Sequence, residues 1–354
     1  MIRRRFPRAI GLTVAGLVLS TAAWGAEPDR EVLLGSSVVG FGHLLGSGNA
    51  QPFETDEAYR QLLADRFGSL TPENQLKWEV VHPERDRYEF GPADSIVEFA
   101  EEQGIPVRGH TLMWHNQNPA WLTGPDITDD ELREILREHI TTVVGRYAGR
   151  IGEWDVANEI FDDSGVLRTE NPFIGRLGID IVADAFRWAH EADPEAVLYL
   201  NDYNVEAIGP KSDAYVALAE ELLADGVPLG GFGVQGHLAL QYPYPASLEA
   251  NLQRFADLGL DVAITELDVR MPLAGEATSE QLAHQAEVYR RVVEACVAVE
   301  ACTSITVWGS TDRYSWVRSF FPAEGAATLF EADLTPKPAW DAVAEALEAG
   351  PPAS

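Results

Sequence analysis

Short apolar runs and amphipathic stretches alternate along almost the whole chain after residue 27. The short runs are rich in β-branched residues and stop at polar or charged positions, the pattern of strands buried in a parallel sheet. It predicts strands at 37–41, 69–71, 106–109, 153–156, 197–200, 231–234, 262–265 and 305–308. Between them, apolar positions recur at helical spacing, as in Leu132, Ile135, Leu136, Ile140 and Val143. Thr128 with Glu131, and Thr278 with Gln281, have the spacing of capping boxes that open a helix. Further helices are expected at 55–67, 93–103, 178–191, 210–224, 246–258 and 338–347. Eight strands alternating with eight helices predict an α/β protein, a single-domain (β/α)8 TIM barrel. An open doubly wound sheet is the alternative, but no Gly-rich phosphate loop follows the first strand.

Two of these strands end in carboxylates. One runs Trp154-Asp155-Val156-Ala157-Asn158-Glu159, the other Val262-Ala263-Ile264-Thr265-Glu266-Leu267-Asp268. In a β/α barrel the carboxyl ends of the strands carry the active site. A pair of carboxylates facing each other there is what glycosidic cleavage requires: one gives a proton, the other attacks or activates water. The other strand ends carry further polar and aromatic residues: Thr71–Trp78, Gly109–Gln117, Asn201–Asn204, Gln235–His237, and Trp308 with Asp312 and Trp316. Amides and carboxylates satisfy sugar hydroxyls, and indole faces stack on sugar rings.

These segments, in this order and across nearly the whole mature chain, resemble the glycoside hydrolase family 10 endo-β-1,4-xylanases. The resemblance implies a (β/α)8 barrel and cleavage of internal β-1,4 bonds of xylan with retention, by double displacement. It places the acid/base on the fourth strand, here Glu159, and the nucleophile on the seventh, here Glu266. Ala157, Ile160 and Asn118 depart from the residues commoner in that family, which bears on fine subsite preference rather than on the chemistry.

The residues themselves suggest roles. Glu266 must be ionised to attack, and His237 and Asp268 are its expected supports; Glu159 must begin protonated. Asn158 is placed to donate to the sugar 2-hydroxyl. His110, Trp114, Gln117, Gln235, Trp308 and Trp316 are expected to shape the sugar site. Glu73, Asn74 and Lys77 are expected to hold the next sugar on the non-reducing side, with Tyr203 a stacking platform on the leaving-group side. Trp78, Trp154 and Trp340 read as packing residues. His110 and His115 do not form a helical His-Glu-x-x-His pair, so neither metal nor cofactor is expected. The alternatives are a related β-1,4-glucanase or a non-catalytic carbohydrate-binding barrel.

Composition narrows the partners. The chain has 354 residues with 26 basic and 56 acidic side chains, a net charge of −30. That excludes nucleic acid, whose binding rests on basic surface, and fits xylan and xylo-oligosaccharides. A monomer is expected. Arg3, Arg4, Arg5 and Arg8 precede an apolar run from Ala9 to Ala23, the pattern of a signal peptide over residues 1–25 cleaved near 25 or 26. General secretion and twin-arginine export both remain open. Either way the mature chain is expected to be secreted, extracellular or periplasmic, with no membrane in the mature form. The barrel should occupy residues 27–349, followed by a tail at 350–354. Cys296 and Cys302, the only cysteines, are expected to pair in an exported protein. A Cys pair of this spacing also recurs in the family that the chain resembles.

Overall fold

The computed structural model describes residues 32–40, 51–124 and 127–351. The signal-peptide segment 1–25, the expected strand end at Phe41 and tail residues 352–354 lie outside the described residues.

Eight parallel strands form the barrel: β1 (Leu33–Val38), β2 (Ser69–Pro72), β3 (Arg108–Met113), β4 (Glu153–Asn158), β5 (Val197–Asp202), β6 (Gly231–Val234), β7 (Asp261–Pro272) and β8 (Cys302–Val307). Their order is β2-β1-β8-β7-β6-β5-β4-β3. A parallel bridge from Leu70 to Val107 closes the ring, and the Leu70 N–H donates to Pro106 O at 3.0 Å. The main outer helices are α1 (Glu57–Arg66), α2 (Gly91–Gln103), α3 (Asp129–Arg146), α4 (Ile181–Ala192), α5 (Pro210–Ala224), α6 (Leu248–Ala256), α7 (Ser279–Val297) and α8 (Pro338–Ala349).

Local chemistry accounts for several boundaries. The Glu131 N–H donates to Thr128 Oγ1 (3.3 Å) while the Thr128 N–H donates to Glu131 Oε2 (2.8 Å), a closed capping box that starts α3. Thr278 and Gln281 do the same for α7. α5 spans the predicted residues, with Pro210 in its first turn, where a missing N–H costs nothing.

Three strands differ most from expectation, while β4 and β5 run two residues further and β8 starts three residues earlier than expected. β1 begins at Leu33 rather than 37. Its Gly35 and Ser36 precede the expected strand, and Ser37 Oγ accepts from the Gly309 N–H (2.7 Å) and donates to Glu73 (3.3 Å). β3 starts at Arg108 and runs on to Met113, every residue buried, so that His110 lies within the strand instead of beyond it. β7 runs to Pro272 and carries Glu266 and Asp268 as strand residues.

The core forms between barrel and helices. Trp154 is fully buried, and its indole lies across Gly109, where a Cβ would meet Trp154 Cε3 at 2.2 Å. Only glycine allows that approach. Cys296 and Cys302 form a disulfide with Cα atoms 5.5 Å apart, joining the end of α7 to the start of β8.

Candidate active site

β4 and β7 deliver the two carboxylates. Glu159 follows the last residue of β4 and has φ 53°, a left-handed conformation uncommon for a residue with a side chain. Its N–H donates to Asn201 O at 2.9 Å, so the bend is fastened to the next strand. Such backbone costs about 1–3 kcal/mol and gathers at functional sites. Glu266 lies within β7, and its N–H donates to Gln235 O at 2.8 Å. Both side chains are nearly buried, at 9% exposure for Glu159 and 4% for Glu266.

A row of amides connects them. The Asn201 amide donates to Glu266 Oε1 (2.9 Å) and lies 3.0 Å from the Asn158 side-chain amide. Gln235 Nε2 donates to Glu159 Oε1 (3.0 Å) and lies 3.3 Å from the same Asn158 amide. Thr265 Oγ1 donates to Asn201 Oδ1 at 2.6 Å, which fixes which end of that amide faces Glu266.

The electrostatics of Glu266 are set by histidines. His237 Nε2 approaches Glu266 Oε2 at 3.5 Å, while His237 Nδ1 is held by Asp268 Oδ2 at 2.9 Å. Asp268 Oδ2 also accepts from Trp316 Nε1 at 2.8 Å. Burial works against a charged His237, but Asp268 and then Glu266 outweigh it and push the imidazolium up to about 10. Burial also pushes the Glu266 carboxyl up, yet the opposing pull of His110 and His237 leaves it below the ordinary carboxylate value. Glu266 is therefore ionised at neutral pH.

His110 Nδ1 stands 4.0 Å from Glu266 Oε1 and 2.9 Å from Asp155 Oδ2. Behind it, the buried Arg108 grips Asp155 through Nε (3.3 Å) and Nη2 (2.5 Å) and reaches Glu153 through Nη1 (2.7 Å). Burial would raise the Asp155 carboxyl, but Arg108 and His110 hold it down.

On the β2 side, Lys77 Nζ donates to Asn74 Oδ1 (3.1 Å) and lies 4.7 Å over the Trp114 ring. Gln117 Nε2 reaches the same Asn74 oxygen (3.2 Å), and Asn74 Nδ2 donates to Glu73 Oε1 (3.2 Å). Burial lowers the Lys77 ammonium, opposed by Glu266, Glu73 and Glu159, and raises the Glu73 carboxyl, opposed by Lys77. Trp308 stands edge-on to both His110 and His237, with ring centres 5.2 Å and 6.4 Å apart.

On the opposite side, Tyr203 is held by two cations. Arg168 donates to its hydroxyl, and Lys211 Nζ lies 3.7 Å over its ring. Lys211 is also paired with the buried Asp202 at 2.8 Å.

The residues expected at the sugar site come from the carboxyl-end halves of the barrel strands and the loops that follow them. Trp78 and Trp154 are buried in the core, and Trp340 packs on Phe67 and Phe330. Sequence reasoning missed four partners. Asn201 binds Glu266; Arg108 and Asp155 stand behind His110; His115 places Nδ1 at 3.7 Å from Glu159 Oε2. A charged residue inside an apolar strand run is the available signal for Arg108 and Asp155. Nothing comparable marks His115 apart from its place beside Trp114.

Comparison with known proteins agrees with this geometry. The model for Glycosyl hydrolase family 10 matches residues 36–346. The chain is 44% identical over 292 residues to endo-1,4-beta-xylanase B of Thermotoga neapolitana, covering 82% of this chain and 84% of that protein. It is 41% identical over 279 residues to an endo-1,4-beta-xylanase of Agaricus bisporus, covering 79% and 83% of the two chains. The crystal structure of xylanase 10B from Thermotoga petrophila RKU-1 in complex with xylobiose superposes with a TM-score of 0.84 at 42% identity, covering 90% of this chain and 95% of that one. With an eight-stranded barrel, two nearly buried carboxylates joined through amides and a family match over most of its length, the chain belongs to glycosyl hydrolase family 10.

Proposed function

We propose that the protein is a secreted endo-1,4-β-xylanase that cleaves internal bonds of xylan with retention of anomeric configuration. The observation that carries this is the unequal treatment of the two carboxylates. Glu266 faces His237, His110 and the Asn201 amide, all of which favour its anion, whereas Glu159 faces Gln235 and His115. Pairs of acids with different environments mark nucleophile and acid/base.

In the first step a Glu266 oxygen forms a bond to the anomeric carbon. The bond to the leaving oxygen breaks, and that oxygen takes the proton of Glu159. In the second step Glu159 accepts a proton from water, whose oxygen bonds to the same carbon as the ester to Glu266 breaks. Two inversions return the original configuration. The Asn158 amide, held among Asn201, Gln235 and Trp114, donates to the sugar 2-hydroxyl in this reading. Glu73, Asn74 and Lys77, with Gln117, bind the next sugar on the non-reducing side; Tyr203 supports the leaving-group sugar.

Xylose lacks the hydroxymethyl group of glucose, and Trp308, only 5% exposed beside His110, is the candidate for excluding it. The xylobiose complex of the Thermotoga petrophila enzyme supports the same substrate class. Residues 1–25 are removed on export, residues 27–349 form the catalytic domain, and the enzyme acts as a monomer without a cofactor. Rates on xylan and on carboxymethylcellulose, with the anomer formed first followed by NMR, test the reading. Xylan should dominate and β-products appear first. A dominant cellulose rate would reject the substrate, and α-products the mechanism.

A further inference from the structure

We propose that Tyr215, a fully buried residue of α5, is a positioning residue for the acid/base: its hydroxyl holds the peptide that follows Glu159 and so aims the carboxyl. This rests on the xylanase reading and on the proton-handling role of Glu159, and deepens both.

The direction of a side chain follows from the two peptide groups that flank its Cα. β4 ends at Asn158, and the chain turns at Glu159 with φ 53°. That conformation is uncommon for a residue with a side chain and persists only where neighbouring groups hold it. The peptide before Glu159 is fastened by its own N–H to Asn201 O at 2.9 Å. The peptide after it is fastened by the Ile160 N–H, which donates to Tyr215 Oη at 3.0 Å. The loop then closes on itself, the Arg168 N–H donating to Ile160 O at 2.9 Å. The tyrosine therefore ties the start of this loop to an outer helix of the barrel.

The hydroxyl is itself oriented. It donates to Asp202 Oδ2 at 2.5 Å, which leaves a lone pair for the Ile160 N–H. Burial, reinforced by Asp202, pushes the Tyr215 phenol well above its ordinary value, so it keeps the proton that it donates. Asp202 ends β5, and its other oxygen accepts from the Tyr203 N–H (2.7 Å) and from Lys211 Nζ (2.8 Å). The ring is fixed as well: it is edge-on to Phe161, with ring centres 4.9 Å apart, and lies 5.1 Å from the Phe232 ring of β6. A chain of hydrogen bonds thus runs from the end of β5 through Tyr215 to the peptide beside Glu159. Glu266 is held separately, within β7, by His237 and Asn201. The effect of Tyr215 should therefore fall on proton transfer to the leaving group and not on nucleophilic attack.

The test reads kcat/KM of Tyr215→Phe on two aryl xylobiosides. The phenyl glycoside needs a proton on its leaving oxygen; the dinitrophenyl glycoside does not. Tyr215→Phe keeps the ring and deletes the acceptor of the Ile160 N–H. Loss of one hydrogen bond should lower kcat/KM on the phenyl glycoside about three- to tenfold, with the dinitrophenyl glycoside unchanged. Tyr59→Phe is the matched control, because Tyr59 is also fully buried and its hydroxyl accepts from the Val39 N–H at 3.1 Å, beside β1. It should lower the melting temperature without separating the two substrates. Equal loss on both substrates in Tyr215→Phe would overturn the inference, and so would wild-type kinetics on both or the same separation in Tyr59→Phe. Glu159→Ala is run alongside. If it loses both substrates equally, the proton-handling role of Glu159 falls and this inference with it. If the wild-type enzyme cleaves neither, the xylanase reading itself is rejected.

Discussion

His237 and Glu266 face each other at 3.5 Å, with the far nitrogen of the imidazole anchored on Asp268 at 2.9 Å. The histidine is thus a cation between two carboxylates, and together with His110 it holds the Glu266 carboxyl below its ordinary value. The pH behaviour of the enzyme follows from this pair.

The His237 imidazolium is raised to about 10 from an ordinary 6.5. A raised folded value contributes stability that is complete below the ordinary value and is lost as pH rises through the folded one. Replacing it by His237→Asn should therefore cost most stability below pH 6.5, with the difference from wild type closing towards pH 10. Thermal melts across pH measure this. Glu266 has the opposite sign: its lowered value contributes above its ordinary 4.5 and fails as pH falls further. Without the neighbouring cation Glu266 protonates more readily, so the acid limb of kcat/KM should move to higher pH in His237→Asn. An unmoved limb would contradict the link.

Asn201 gives Glu266 its one amide hydrogen bond among the described residues, at 2.9 Å. A hydrogen bond to a charged group contributes about 1.5–3 kcal/mol, so Asn201→Ala should lower kcat/KM roughly 10- to 150-fold. Steady-state kinetics on an aryl xylobioside, paired with a melt to show that the fold is kept, check it.

Arg108 carries structural weight out of proportion to its distance from the sugar. Buried at 4% exposure, it holds Asp155, which holds His110. Removing one partner of a buried pair costs about 3–5 kcal/mol, because the other charge is left alone. Arg108→Leu should destabilise by about that much in urea titrations, and Arg108→Lys should recover only part, since an ammonium cannot reproduce the two-pronged grip on Asp155.

The disulfide is remote from the site. Joining Cys296 to Cys302 closes a loop with a sequence separation of 6. Loop entropy assigns such a small ring about 2 kcal/mol. Replacing both cysteines by alanine should lower stability by about that amount plus a small packing loss, with kcat unchanged.

The barrel was legible because parallel β/α units write themselves into the chain as two alternating periods. β6 and α5 fall on the expected residues for that reason. β1 and β3 did not, because barrel strands may hold small or polar residues inside. Ser36, His110 and Thr111 are all buried strand residues, yet they fall outside the expected strands. The two acids were legible as strand-end carboxylates within motifs of a familiar order. What binds them was less so. Asn201 and Glu266 are 65 positions apart and Arg108 and Asp155 are 47 apart, and such pairings appear only when β3, β4, β5 and β7 curl into one ring. The same closure lays His115 beside Glu159.

The most direct test of the central claim, that Glu266 attacks while Glu159 handles the proton, is chemical rescue on an aryl xylobioside whose leaving group needs no protonation. Glu159→Ala should retain partial turnover, and added azide should raise it and yield a β-xylobiosyl azide. Glu266→Ala should be inactive with and without azide on that retaining path. Equal loss in both variants, with no rescue of Glu159→Ala, would contradict the assignment.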